Sequence, residues 1–129
     1  IQIVITSSDQ KWCNNLVAVL ESEQLKAANA YSIEELKELL SSSQVVVAIV
    51  DIDLLPINNQ IIRELAIKYP GLNFLCISNN RFHPELKEGM TSKIYACIQK
   101  PIDMSELLYF IRSIYKDAGY IIENKLLTF

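Results

Sequence analysis

Val45–Val50 form an unbroken run of six apolar residues, five of them β-branched, and Asp51 follows directly. A run of that length and composition reads as a strand covered on both faces, the kind found in parallel sheets packed between helices. Sheets of this type bind their ligands at the carboxyl ends of the strands. Asp51 and Asp53 fall at that end, so the central strand predicts both a fold and the place where its chemistry gathers.

The segments on either side fit the same frame. Ile1–Thr6 is a short apolar strand that runs into Ser7, Ser8 and Asp9. Ser8 or Asp9 can cap a following helix, because either side chain accepts from first-turn N–H groups. Trp12, Cys13, Leu16, Val17 and Leu20 then recur at helical spacing to about Ser22, which places Trp12 on the core-facing side. Leu25–Ala30 is a weak strand, and Ser32 with Glu35 forms a capping box before Ile33, Leu36, Leu39 and Leu40.

Beyond Pro56, the residues Ile57, Ile61, Ile62, Leu65 and Ala66 predict a third helix that stops before Pro70 and Gly71. Leu72–Ile77 is a fourth strand ending at Ser78. Pro84 opens a short helix that Gly89 closes, and Ile94–Ile98 is a fifth strand ending at Gln99, Lys100 and Pro101. Asp103 and Glu106 cap a last helix whose core face is Leu107, Leu108, Ile111, Ile114 and Tyr115. Strand and helix alternate five times with short links, which predicts an α/β domain: a parallel sheet with helices on both faces.

Composition removes several function classes. With 129 residues, half of them apolar, the chain holds one domain with a full core. A net charge of −3 leaves no electrostatic footprint for nucleic acid or an anionic membrane. No apolar run approaches the roughly 20 residues of a membrane span, and no signal-peptide pattern is present, so a cytoplasmic location is expected. The first residue is Ile, which predicts a piece of a longer protein. Cys13, Cys76 and Cys97 lack metal-ligand spacing and read as buried free thiols. His83, the single histidine, cannot form a metal site alone.

At the carboxyl edge the strands deliver Ser7, Ser8 and Asp9, then Asp51 and Asp53, then Ser78, then Lys100. Carboxylate, hydroxyl and ammonium groups converging there suit an anion and a metal ion. Asp51 is a candidate nucleophile for a phosphoryl group, Ser78 a donor to its oxygen, and Lys100 the balancing charge. Even without phosphate, Lys100 is expected to pair with Asp51.

On these residues the chain, over about 1–118, resembles the receiver domain of two-component response regulators. The features that carry the likeness are VVVAIVD ending at Asp51, FLCIS ending at Ser78, and Lys100-Pro101. The resemblance implies a flavodoxin-like (βα)5 fold, doubly wound, with strand order 2-1-3-4-5. It also implies a non-enzymatic role in phosphorelay signalling, with Asp51 phosphorylated by a histidine kinase or phosphotransfer protein. Ser78 and Lys100 would then report the phosphoryl group to the face near the last helix.

The chain departs from the family where Mg²⁺ would bind. Ser7 and Ser8 stand in place of two adjacent acidic residues, leaving Asp9, Asp51 and Asp53 as a weakened Mg²⁺ set. Asp51 and Pro56 are spaced one residue further apart than usual, the segment between Gly89 and Lys100 is longer, and Cys97 replaces an aromatic residue, with Tyr95 two positions back. Two other readings therefore stay open. One is a degenerate receiver serving as a phosphorylation-independent docking or dimerisation module. The other is a flavin- or phosphate-binding flavodoxin-like protein, which the lack of glycine in the Thr6–Asp9 loop disfavours. Residues 119–129 form an apolar tail; with Tyr109 on the last helix, Tyr120 and Phe129 predict a surface for a partner or a second copy.

Overall fold

The computed structural model describes residues 2–80 and 94–119. Its elements are β1 (Ile3–Thr6), α1 (Gln10–Ser22), β2 (Ala27–Ala30), α2 (Ile33–Ser42), β3 (Val47–Asp51), α3 (Asn59–Lys68), β4 (Asn73–Ser78), β5 (Ile94–Gln99) and α4 (Met104–Asp117). The strands form one parallel sheet in the order β2-β1-β3-β4-β5, the flavodoxin-like arrangement expected from the sequence. The expected helix between Pro84 and Gly89, His83, and the tail from Tyr120 lie outside the described residues.

The continuous apolar run is explained by the two cores it divides. Val4, Ala48, Val50, Phe74 and Cys76 face one way and pack with Ile33, Leu36 and Leu40 of α2 and Ile62, Leu65 and Ala66 of α3. Ile3, Ile5, Val47, Ile49, Leu75 and Ile77 face the other way, against Cys13, Leu16 and Leu20 of α1 and Leu107, Ile111 and Ile114 of α4. Side chains alternate across a strand, so a strand sandwiched between helices must be apolar at every position. All residues of β1 and β3 are buried, whereas edge strand β5 alternates between buried and open positions. Trp12 packs partly buried against the second core.

Boundaries differ from the sequence pattern in places where caps outrank hydrophobicity. Ile57 is buried in the loop before α3, because Asn58 takes the N-cap and accepts from the Ile61 N–H. At α1 the cap is Asp9, whose carboxylate accepts from Trp12 N–H at 3.0 Å. Val45 and Val46 are buried but precede the ladder. Leu108 is only partly buried on α4, and Cys97 is half-buried, unlike the fully enclosed Cys13 and Cys76. Gly119, at φ +81°, follows α4 in the left-handed region where a residue without Cβ carries no steric penalty.

Candidate functional site

The strand ladders determine which polar groups meet. Ser7 continues the period of Ile3 and Ile5, and Asp51 that of Val47 and Ile49, so both side chains leave the sheet on the same side. β1 and β3 are neighbours paired Thr6 to Val50, which sets Ser7 beside Asp51. Ser7 Oγ donates to Asp51 Oδ2 at 3.0 Å. On the other side, the Lys100 N–H donates to Ser78 O at 2.8 Å, carrying the β4–β5 ladder one step past its end and bringing Lys100 to the rim.

Asp51 is 2 % exposed, and three donors satisfy its carboxylate. Lys100 Nζ donates to Oδ1 at 2.9 Å, the Asp53 N–H reaches the same oxygen at 3.1 Å, and Ser7 takes Oδ2. A charge-assisted bond of this length offsets the cost of burying the carboxylate. Lys100 extends to the second acid as well, with Nζ 3.3 Å from Asp53 Oδ2.

Asp53 occupies a position that its place in the sequence does not suggest. Its carboxylate turns back over the end of β4, where Ser78 Oγ donates to Oδ1 at 2.9 Å and the Asn79 N–H donates to Oδ2 at 2.7 Å. Partial desolvation alone would raise the Asp53 pKa; the Asn79 N–H, the Ser78 hydroxyl and the Lys100 ammonium outweigh it and hold the carboxyl below its ordinary 3.8. Lys100 shows the complementary balance. Desolvation acts to lower its pKa, but Asp51 and then Asp53 overcome this and keep it above 10.5.

The structure therefore brings Asp51, Asp53, Ser78 and Lys100 together and, of the first-strand hydroxyls the sequence delivers to this edge, sets Ser7 directly on Asp51. Strand parity identifies Ser7, because positions 3, 5 and 7 leave the sheet on the same side as 47, 49 and 51. Asp9 plays a different part: its carboxylate caps α1, while its N–H donates to Ser7 Oγ at 3.2 Å. Asp9 is thus engaged on the helix cap while Asp51 and Asp53 share Lys100, and among the described residues no group of three or more His, Cys, Asp or Glu side chains is placed to hold a metal. Mg²⁺ prefers near-octahedral oxygen ligands at about 2.1 Å, and here the Asp51 and Asp53 carboxylates that could supply two of them are engaged by Lys100.

On the far flank, Tyr109 is 66 % exposed and meets Phe110 edge-on at 5.6 Å, and Phe110 meets Tyr95 at 6.2 Å. Tyr120 and Phe129 of the expected partner surface lie outside the described residues.

Fold and rim together define a doubly wound parallel domain with an acid–lysine–hydroxyl cluster at its carboxyl edge. The family model for the response regulator receiver domain matches residues 3–112, and the chain belongs to that family of two-component signalling proteins. Among solved structures it is similar to a CheY-like response regulator receiver domain protein from Methanospirillum hungatei JF-1. The two share 18 % identity over 90 % of this chain and 94 % of the other, with a TM-score of 0.80. A signal receiver domain of an HD domain-containing protein from Pseudomonas fluorescens Pf-5 is similar at 19 % identity, 90 % and 94 % coverage and a TM-score of 0.79. The non-phosphorylated HemR receiver domain from Leptospira biflexa is similar at 20 % identity, 88 % and 92 % coverage and a TM-score of 0.74. No curated protein matches the chain. Among the described residues, no helix is long and apolar enough to cross a membrane.

Proposed function

We propose that this receiver domain is a non-enzymatic docking module of a phosphorelay, engaging a histidine kinase or phosphotransfer protein without needing a phosphoryl group on Asp51. The observation that carries this reading is the state of the rim. Lys100 is already paired with both Asp51 and Asp53, each Asp51 oxygen holds a donor, and Asp9 is committed to a helix cap. A carboxylate so engaged is a weak nucleophile, and of the acids that would gather a divalent ion around an incoming phosphate, Asp9 is turned into the helix cap and Asp51 and Asp53 are held by Lys100. Cytoplasmic work beside a kinase is consistent with the sequence.

A second reading has its own support. Lys100 at 2.9 Å from Asp51, with Ser78 nearby, is the charge and hydroxyl arrangement that would receive a phosphoryl group on Asp51. Intact-mass spectrometry after incubation with acetyl phosphate and Mg²⁺ separates the two. Unchanged mass of the folded protein is expected. A phosphoryl adduct that disappears in Asp51→Asn overturns the docking reading in favour of the second.

A further inference from the structure

Three hydrogen-bond donors of different kinds converge on the Asp53 side chain. Ser78 supplies a hydroxyl at 2.9 Å, Asn79 a backbone N–H at 2.7 Å, and Lys100 an ammonium at 3.3 Å. A hydroxyl, an amide and a cation aimed at one point form a pocket for an oxyanion, because each points a positive charge or partial charge inward. Each donor also has an anchor other than Asp53. Ser78 Oγ accepts from the Asn80 N–H at 3.0 Å, Asn79 O accepts from Gln99 Nε2 at 3.2 Å, and Lys100 Nζ is bound to Asp51 at 2.9 Å. These anchors do not involve Asp53, so the donors are expected to stay in place when its side chain is removed.

We propose that Asp53 is a resident anion: it fills an oxyanion pocket made by Ser78, the Asn79 N–H and Lys100, and removing it lets a free tetrahedral oxyanion bind there. The carboxylate is tethered two residues from Asp51, so it competes for the pocket as an intramolecular ligand. The rim then carries, at all times, the anion that a charged ligand would otherwise bring. The proposal deepens the docking reading, and that reading supplies only its regulatory meaning; the pocket itself stands on the distances above.

The probe is inorganic phosphate, titrated at constant ionic strength into the ¹⁵N-labelled full chain, with the Asn79 amide followed by NMR. In the wild-type protein the Asn79 amide is expected not to respond. In Asp53→Ala it is expected to shift and saturate, with at least a tenfold gain in apparent affinity, the change that about 1.4 kcal/mol produces. Adding Lys100→Met to Asp53→Ala is expected to abolish the response. A folded Asp53→Ala protein whose Asn79 amide responds no more than wild type overturns the proposal, as does a wild-type protein that binds phosphate equally well. If Asp53→Ala does not fold, Asp53→Asn serves. Loss of the charged acceptor is expected to move the Asn79 amide proton upfield without phosphate, and an unmoved proton overturns the proposal. The readout uses no phosphoryl donor, so its failure is distinct from failure of the docking reading, which is decided by an adduct on Asp51.

Discussion

Lys100→Met is the perturbation that tests the rim most directly. The lysine holds two carboxylates, at 2.9 Å from Asp51 and 3.3 Å from Asp53, and Asp51 is 2 % exposed while the lysine side chain is 23 % exposed. A pair of unit charges about 4 Å apart is worth roughly 4 kcal/mol at an effective dielectric near 20. Breaking a buried pair by removing one partner costs about 3–5 kcal/mol. Water reaches this lysine, which screens the attraction, so about 2–3 kcal/mol is the expected loss at neutral pH. For a domain of this size that lowers Tm by about 8–12 °C. The penalty arises from a buried carboxylate left without its cation, so Asp51→Asn in the Lys100→Met background is expected to recover at least half of it. Urea unfolding of wild type, both single variants and the double variant forms the required cycle. The reasoning is refuted if Lys100→Met melts within about 2 °C of wild type, or if Asp51→Asn recovers nothing.

The same pair sets the pH range of stability. The Asp53 pKa is depressed below 3.8, so its contribution is present above that value and is lost as pH falls through the folded-state value. Lys100 is raised above 10.5, so its contribution is present below that value and is lost as pH rises through the folded-state value. Stability against urea is expected to decline on the alkaline side from two sources, the buried thiols above their ordinary 9.0 and Lys100 at higher pH, and Lys100→Met to remove only the second; parallel curves for the two proteins contradict this. Thr6 is fully buried and its Oγ1 has no hydrogen-bond partner among the described residues. Thr6→Val is therefore expected to stabilise by about 1 kcal/mol in the same assay, and a loss of stability argues against an unsatisfied hydroxyl. Burial pushes the Cys13 thiol up to about 11 and raises Cys76 further, so neither is expected to react with a disulfide reagent at pH 8 until the chain unfolds. Rapid labelling of Cys13 or Cys76 in the native protein, located by peptide mass, contradicts that.

The alternation of apolar runs and helical spacings was enough to place every described strand and helix, because burial on two faces leaves a direct imprint on composition. It also placed Asp51, Ser78 and Lys100 at one edge, since each is the first polar residue, or nearly so, after an apolar strand. Ser7 was equally legible through strand parity, once β1 and β3 are known to be neighbours.

What lies past the strand ends was decided only by the tertiary structure. Asp9 was open in the sequence between a metal ligand and a helix cap, and in the fold its carboxylate is taken by the Trp12 N–H. Asp53 sits in a turn with no period to fix its direction, and its partners are Ser78, Asn79 and Lys100, on two other strand ends. Periodicity assigns residues to faces and edges; the aim of a charged side chain in a turn depends on donors that only folding brings within hydrogen-bond reach.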